Sequence, residues 1–398
     1  MILTILNWNI GGAKVLESKT KDVRNDVMKQ INEDLAMLID EKRPDIITLQ
    51  EVVAFKEPSD TGVINIIQED IINKLGYKCF FFPLINSLGF SSQAKWKKIA
   101  SECGWDYNTY FVQGNAMLFR NDAPLFPFWD LSRPEQKSPG LRLSTILKQQ
   151  EINPVPDLQQ EVGKNQQNYL IEHIHLEDGV YFGDRNTEPR AALIAHMIFN
   201  SPILTDSKPI DIFIINVHLV TIMKERVGIP ATDSNASQLR LKQLEIIFDG
   251  IISRYNSWFD DGFPQRGKNV PEEEGETFER HQPVWLLCGD FNFTENSIEH
   301  EYIMRRNFID TTPQSKREKQ TEPDPTGKPG VIEHNGTKAK GAGNPATLTL
   351  DYIFAGPKFV AFDPIFTEAK MLNNTVEYSI TSSDHYPIIS KIPMYMVR

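Results

Sequence analysis

Cysteine is scarce in this chain: three in 398 residues, at Cys79, Cys103 and Cys288. Their odd number and wide scatter show neither a disulfide framework nor zinc-site spacing, and they suit a reducing compartment. Long apolar runs are missing as well; none reaches the ~18 to 20 residues that a membrane span needs. The opening stretch, Met1 to Ile10, lacks the basic region, apolar segment and cleavage site of an export signal and reads as a strand that begins at once. A cytoplasmic protein is expected. Basic excess is also lacking, with 42 Lys and Arg against 53 Asp and Glu, a net charge of −11. A protein that grips long duplex DNA through many phosphates usually carries a basic surface. Either the anion site is local and metal-assisted, or the substrate is not a long nucleic acid; the charge balance does not separate the two.

What is present is core-forming material. Hydrophobic residues make up 40% of the chain, with 23 Phe, enough for one large core and too many for a disordered chain. Thr4 to Asn9 alternates as a strand and stops at Gly11 and Gly12. From Lys21 to Arg43, Val23, Val27, Ile31, Leu35 and Leu38 recur at spacings of three and four, which predicts an amphipathic helix ended by Pro44. Asp45 to Leu49 is then a short apolar strand, and Gly62 to Leu75 a second amphipathic helix. Further strands are expected at Tyr77 to Phe82, Asn115 to Arg120, Ala191 to Phe199, Ile210 to Val217, Val284 to Cys288, Thr349 to Phe354 and Tyr386 to Ile392. Helices are expected over Ser237 to Ile252 and after Thr294. Polar, Gly- and Pro-rich stretches near 83–113, 131–167, 260–279 and 313–345 read as loops inserted into one domain spanning 1–398, because strands of the same pattern resume after each.

Several polar residues stand where apolar strands end: Asn9, Glu51, His218, Asp290, Asn292, and Asp384 with His385 before the last strand. Acids and amides suit a hard cation that prefers oxygen, and histidines beside them suit proton transfer and charge stabilisation on a phosphate. Any one of them alone is an ordinary turn residue. Six strand-end positions of this chemistry in one chain are not an ordinary coincidence.

The motifs that carry them are Asn7-Trp8-Asn9, Leu49-Gln50-Glu51-Val52, Val217-His218-Leu219, Gly289-Asp290-Phe291-Asn292, Leu350-Asp351-Tyr352-Ile353-Phe354 and Ser383-Asp384-His385. In this order they resemble the signature of the endonuclease/exonuclease/phosphatase superfamily, from about Ile2 to Ile392. That superfamily includes deoxyribonucleases, abasic-site enzymes, sphingomyelinases, inositol polyphosphate 5-phosphatases, deadenylases and tyrosyl-DNA phosphodiesterases. The resemblance implies an α/β fold: a four-layer α/β sandwich, two packed, mostly antiparallel sheets flanked by helices. It implies Glu51 as the principal ligand of Mg2+ (or Mn2+), with Asn9 and Asp384 on the metal side. It implies Asp290 and Asn292 as the pair that positions the attacking water, and His385, paired with Asp351, at a phosphate oxygen. His218 matches the histidine of the deoxyribonuclease, sphingomyelinase and 5-phosphatase branches. Arg190, together with Asn115, is expected on the substrate side.

Departures narrow the field. His218 stands where abasic-site enzymes carry Asn, and Thr347 to Tyr352 does not match the 5-phosphatase block. A metal-dependent nuclease acting on DNA or RNA is the expected function. A phosphatase or phosphodiesterase acting on a lipid, inositol or other small phosphate ester, and a non-catalytic binding module, are the alternatives. Aromatics and lysines interleave from Phe80 to Tyr110, with Trp96 and Trp105 among the rings and Lys95, Lys97 and Lys98 among the cations; they suit base stacking or a small core of their own. The lysine-bearing stretch Ser315 to Lys340 suits phosphate contact or a solvated loop.

Overall fold

A computed structural model describes residues 2–12, 14–15, 18–58, 60, 64–67, 69–86, 100–106, 108–123, 125–127, 170–177, 190–199, 210–220, 234–260, 283–295, 297–311, 338–339, 346–348, 350–356, 368–371, 382–383 and 385–393. The first sheet holds β1 (Ile2–Asn9), β2 (Ile46–Lys56), β3 (Ile64–Asn65), β4 (Tyr77–Asn86), β5 (Tyr110–Arg120), β15 (Glu368–Met371) and β16 (Ile388–Pro393), in the order β15-β16-β1-β2-β5-β4 with β3 on β2. The second holds β6 (Leu125–Pro127), β7 (Leu170–Glu177), β8 (Arg190–Phe199), β9 (Ile210–His218), β10 (Val284–Asp290), β11 (Ile309–Asp310) and β14 (Asp351–Ala355), in the order β11-β14-β10-β9-β8-β6 with β7 on β8. A small ribbon pairs β12 (Lys338–Ala339) with β13 (Ala346–Leu348).

Each large sheet contains one parallel pair, β1 with β2 and β9 with β10, and is otherwise antiparallel. A parallel pair cannot be joined by a hairpin and needs a long crossover, and here both crossovers contain helix. Helix α1 (Lys21–Lys42) links β1 to β2. A continuous helical run, α3 (Ser234–Glu245), a π-helical stretch (Ile246–Ile252) and α4 (Ser253–Asp260), lies between β9 and β10. The crossovers thereby supply the outer layers. Ile31, Leu35 and Leu38 of α1 pack on Leu6, Trp8, Ile47 and Leu49 of the first sheet. Leu244, Ile247, Phe248 and Ile251 pack on Phe213, Ile215, Trp285 and Leu287 of the second. Between the sheets Leu3, Ile5, Ile46 and Met117 meet Leu193, Ile214, Leu286 and Ile353. Alternation along each strand sends successive residues to the inter-sheet core and to that sheet's own outer core, which produces the four layers.

Helix α1 starts at Thr20, whose hydroxyl accepts the Val23 N–H at 3.3 Å, and ends at Arg43, in the left-handed region at φ 43°. The helix expected over Gly62 to Leu75 is shorter. Ile64 and Asn65 pair with Phe55 and Ala54 of β2, the Asn65 side chain accepts the Ile67 N–H, and helix α2 covers only Glu69–Lys74. The insertion expected near 83–113 is also smaller, because β4 runs on to Asn86 and β5 opens at Tyr110, with Asn86 paired to Val112. Residues 131–167 lie outside the described residues, as do nearly all of 260–279 and 313–345. Within the aromatic segment, Phe80 faces the inter-sheet core and Phe81 the outer one. Trp105 packs edge-on against Phe55 at 5.1 Å and lies beneath the Arg24 guanidinium at 3.7 Å. These three rings belong to the two large cores and not to a small core of their own; Trp96, Lys95, Lys97 and Lys98 lie outside the described residues.

Candidate active site

Three neighbouring strands of the second sheet set the first half of the site. Asp290, the last residue of β10, pairs with His218, the last of β9, and with Asp351, the first of β14. Paired residues on adjacent strands point to the same face about 4.8 Å apart, so the row Asp351–Asp290–His218 follows from register alone. The preceding Gly289 makes the close packing of this row possible. It holds φ +153°, and a Cβ built there would stand 2.0 Å from the Val217 carbonyl oxygen. Past Asp290 the chain turns at Asn292, in the left-handed region at φ 52°. The Asn292 N–H donates to Asp290 Oδ1 at 3.0 Å and its Nδ2 to the Leu219 carbonyl at 2.9 Å.

The first sheet supplies the second half. Pairing between β2 and β5 slips between Leu49 and Val52, so Gln50 and Glu51 form a bulge and Glu51 takes φ 56°. Bulges re-aim side chains at sheet rims, and this one turns the half-buried Glu51 carboxylate to the site. The loop after β1 crosses directly over it: a Cβ on Gly12 would lie 1.8 Å from the Glu51 carbonyl oxygen. Asn9 ends β1. Its Oδ1 accepts the Gly11 N–H at 3.0 Å, which turns Nδ2 toward Glu51 Oε1 (3.2 Å) and Asp290 Oδ2 (2.9 Å).

His385 closes the cluster. Its Nδ1 lies 2.8 Å from Asp351 Oδ2 and its Nε2 3.7 Å from Asp290 Oδ2. An ionised carboxylate only accepts, so the Nδ1 carries the proton toward Asp351. The short loop before His385 is pinned from several directions. Ser383 Oγ donates to the Asn9 carbonyl at 2.7 Å and accepts the His385 N–H at 3.0 Å, and Trp8 Nε1 donates to the His385 carbonyl at 3.1 Å. Ser382 donates its hydroxyl to buried Asp34 of α1 at 2.6 Å, and Lys14 Nζ donates to the Ser382 carbonyl at 3.1 Å.

Asp290 Oδ2 is thus a hub, with Asn9 Nδ2 at 2.9 Å, His218 Nε2 at 3.6 Å and His385 Nε2 at 3.7 Å. Six residues expected from the sequence come together here: Asn9, Glu51, His218, Asp290, Asp351 and His385. Asn292 adjoins them through Asp290. Asp384 lies outside the described residues. Asn115 is buried on β5 opposite the bulge, and its amide nitrogen has no hydrogen-bond acceptor among the described residues. Arg190 opens β8; Ala192 pairs with Val217, which puts Arg190 at the His218 end of the sheet. Sequence reasoning assigned no role to Asn7, Thr48, Gln50, Asn216 or Asp34, which support the site from beneath and beside it. Polar residues one to three positions before a strand-end polar residue, within otherwise apolar strands, are the available signal for the first four.

Ligand atoms of Asp290, Asp351 and His385 lie within 4.8 Å of one another, a grouping able to hold a metal ion. The chemistry of the wider donor set favours oxygen over sulfur. The nearest cysteine in sequence, Cys288, lies in the inter-sheet core, where burial pushes its thiol up to about 12 despite a hydrogen bond with Thr48.

The family model of the endonuclease/exonuclease/phosphatase family matches residues 6–385. The chain belongs to this family. Its members hydrolyse phosphate esters and are typically dependent on a divalent metal. Similar solved structures include an endonuclease/exonuclease/phosphatase family protein from Bacteroides thetaiotaomicron (12% identity, 99% of each chain covered, TM-score 0.48). A mannosyl-6-phosphatase from Bacteroides thetaiotaomicron VPI-5482 is 12% identical (98% of this chain and 100% of that one, TM-score 0.47). TDP2 from Caenorhabditis elegans is 13% identical (98% and 74%, TM-score 0.44). No curated protein matches the chain. No helix among the described residues is long and apolar enough to cross a membrane.

Proposed function

We propose that this chain is a metal-dependent phosphodiesterase, a nuclease that hydrolyses phosphodiester bonds of DNA or RNA by attack of water on phosphorus. The observation that carries the reading is the convergence of Asn9, Glu51, His218, Asp351 and His385 around Asp290 at the edge shared by the two sheets. A phosphodiester is anionic and repels an incoming hydroxide, so a site for it must supply positive groups and a proton acceptor.

Asp290 is the proton acceptor for the attacking water, with one oxygen fixed by the Asn292 N–H and the other facing Asn9 and the two histidines. His385, its Nδ1 committed to Asp351, turns Nε2 to the phosphate, where it donates to a phosphoryl oxygen. His218 lies beside the same carboxylate and serves the same anion. As the new P–O bond forms, the bond to the leaving alkoxide breaks and that oxygen takes up a proton from solvent water. Arg190 and Asn115 lie at the substrate side; the buried Asn115 amide next to the bulge offers a donor without an acceptor among the described residues.

The donor set fits a hard divalent cation. Glu51 is a carboxylate lifted by its bulge beside the amide of Asn9, and Asp384 adjoins His385 in sequence. These residues would hold Mg2+ or Mn2+, which when bound neutralises charge on the phosphoryl oxygen. Nucleic acid as substrate, a single domain over 1–398 and a cytoplasmic location belong to the same proposal and rest on the sequence.

The test is a substrate panel assayed with and without magnesium: single-stranded DNA, duplex DNA, RNA, bis-p-nitrophenyl phosphate and inositol phosphates. Metal-dependent cleavage of the diesters is expected. Release of phosphate from the monoesters alone would replace the reading with a phosphatase. Binding without turnover of any of them would replace it with a binding module.

A further inference from the structure

Between the sheets, directly beneath the site, four uncharged polar side chains form one buried network. Asn7 Nδ2 donates to the Gly289 carbonyl at 3.1 Å. Gln50 Nε2 donates to Asn7 Oδ1 at 2.9 Å and to Asn216 Oδ1 at 2.7 Å. Asn216 Nδ2 donates to the Leu49 and Ala116 carbonyls at 3.0 and 2.9 Å, and Thr48 Oγ1 donates to Asn7 Oδ1 at 2.7 Å. All four side chains are fully buried. Asn7, Thr48 and Gln50 belong to the first sheet, and Asn216 and Gly289 to the second. The network therefore crosses the inter-sheet space with four hydrogen bonds: Asn7 to Gly289, Gln50 to Asn216, and Asn216 to the Leu49 and the Ala116 carbonyls.

Its members are spaced along the chain in step with the site. Asn7 precedes Asn9 by two residues, Gln50 precedes Glu51 by one, Asn216 precedes His218 by two and Gly289 precedes Asp290 by one. A pair of sheets held only by Leu, Ile and Val can slide, because apolar contacts are not directional. Amide hydrogen bonds are directional, and a buried amide that loses its partner bears the full desolvation cost, so this network admits one register of sheet on sheet.

We propose that Asn7, Gln50 and Asn216 are positioning residues that set the separation between the metal-side half of the site, Glu51 and Asn9, and the acid/base half, His218, Asp290 and Asp351. The inference rests on the proposed function for the roles of those halves. Groups hydrogen-bonded to a metal ligand typically change metal affinity or activity by about ten- to a hundredfold when removed, and this network acts through residues one or two positions from the ligands.

The experiment compares full-length wild type with Gln50→Met, which keeps length and loses both donations, and with Asn7→Ser, which shortens a second cross-sheet donor. Asn32→Leu is the control: its buried amide also makes two bonds, to the Met28 and Ile66 carbonyls, outside the inter-sheet space. Free Mn2+ is followed by electron paramagnetic resonance, hydrolysis of bis-p-nitrophenyl phosphate gives kcat and KM, and melting gives Tm. The two network variants should weaken Mn2+ binding by about tenfold or more and lower kcat per folded molecule, with KM changing less. Asn32→Leu should lower Tm by a similar amount and leave Mn2+ affinity and kcat alone. Network variants that lose Tm like the control yet bind Mn2+ and turn over like wild type would overturn the proposal. Should wild type neither bind Mn2+ nor hydrolyse any phosphate ester, the functional reading fails by itself. A crystal structure of Gln50→Met (or of Asn7→Ser, if the first variant does not fold) still decides the positioning claim: a changed Glu51-to-His218 separation supports it and an unchanged one overturns it.

Discussion

Glu51 and Asn292 both hold positive φ without being glycine, at 56° and 52°, a conformation that costs roughly 1–2 kcal/mol for a residue with a Cβ. Such strain persists where the surroundings over-determine it, and here each residue adjoins the Asp290 hub. His385 and Asp351 illustrate the same economy of placement. Asp351 is fully buried, and the imidazole partner on one oxygen offsets much of the cost of burying a carboxylate. His385→Gln should therefore lower Tm as well as rate, and rate per folded molecule is the informative quantity. That rate is expected to fall by about 10² to 10⁴, the usual worth of an acid/base or charge-stabilising partner. Asp351→Asn should cost less, since the ring stays in place and only its orientation loosens. A purely structural His385 predicts lower Tm with unchanged turnover per folded molecule, and measuring both quantities for both variants separates the readings.

Elements place these residues by their ends. β9 leaves the sheet at His218, and the next residues are tied down. Gln243 Oε1 accepts the Val220 N–H at 3.1 Å, while Arg240 of α3 reaches the Val220 carbonyl and forms a buried ion pair, 2.9 Å, with Glu299 of helix α5 (Ile298–Met304). Strand ends, helix α1 and the order of motifs were legible in the sequence because each depends on local period and punctuation. The bulge at Gln50 and Glu51, the short α2 and the Asp34–Ser382 anchor were not, because they depend on which strand or loop arrives from far along the chain. The same holds for His196, one interior residue in an apolar run. It is buried on β8, stacked on Phe213 at 4.1 Å, with Nε2 2.7 Å from Asp211 Oδ1. Burial lowers its pKa below the ordinary 6.5, and the hydrogen bond and charge of Asp211 offset only part of that. The unfolded chain thus binds this proton more readily than the folded one, and stability rises with pH across that interval. The contribution is fully present above about 6.5 and is lost as pH falls from there through the lowered folded value, with a slope of at most about 1.4 kcal/mol per pH unit. His196→Phe should flatten that acid limb in urea titrations between pH 7 and 5; an unchanged limb would show that other groups produce it.

At the scale of the whole molecule, the proposed function depends on two sheets meeting at one edge. Asn9, Glu51 and His385 come with the first sheet, and His218, Asp290, Asn292 and Asp351 with the second. Most of the residues that meet at this edge were readable in the sequence, since strand-end acids, amides and histidines stand out against apolar strands. The sequence did not reveal that Asp290 would be the centre, nor that a layer of buried amides would lie beneath, because sheet-on-sheet register is a property of the assembled core. The central claim is that this shared edge cleaves a phosphate ester with a cation held at Glu51. Its most direct test is the rate of bis-p-nitrophenyl phosphate hydrolysis by wild type and Glu51→Gln, titrated with magnesium and repeated in excess chelator. Glu51→Gln keeps the size of the side chain and removes its charge. Wild type should lose activity in chelator, and Glu51→Gln should run about 10²-fold slower or worse, with partial recovery at high magnesium. Full wild-type activity in excess chelator, or a Glu51→Gln enzyme that matches wild type at every magnesium concentration, would contradict the account.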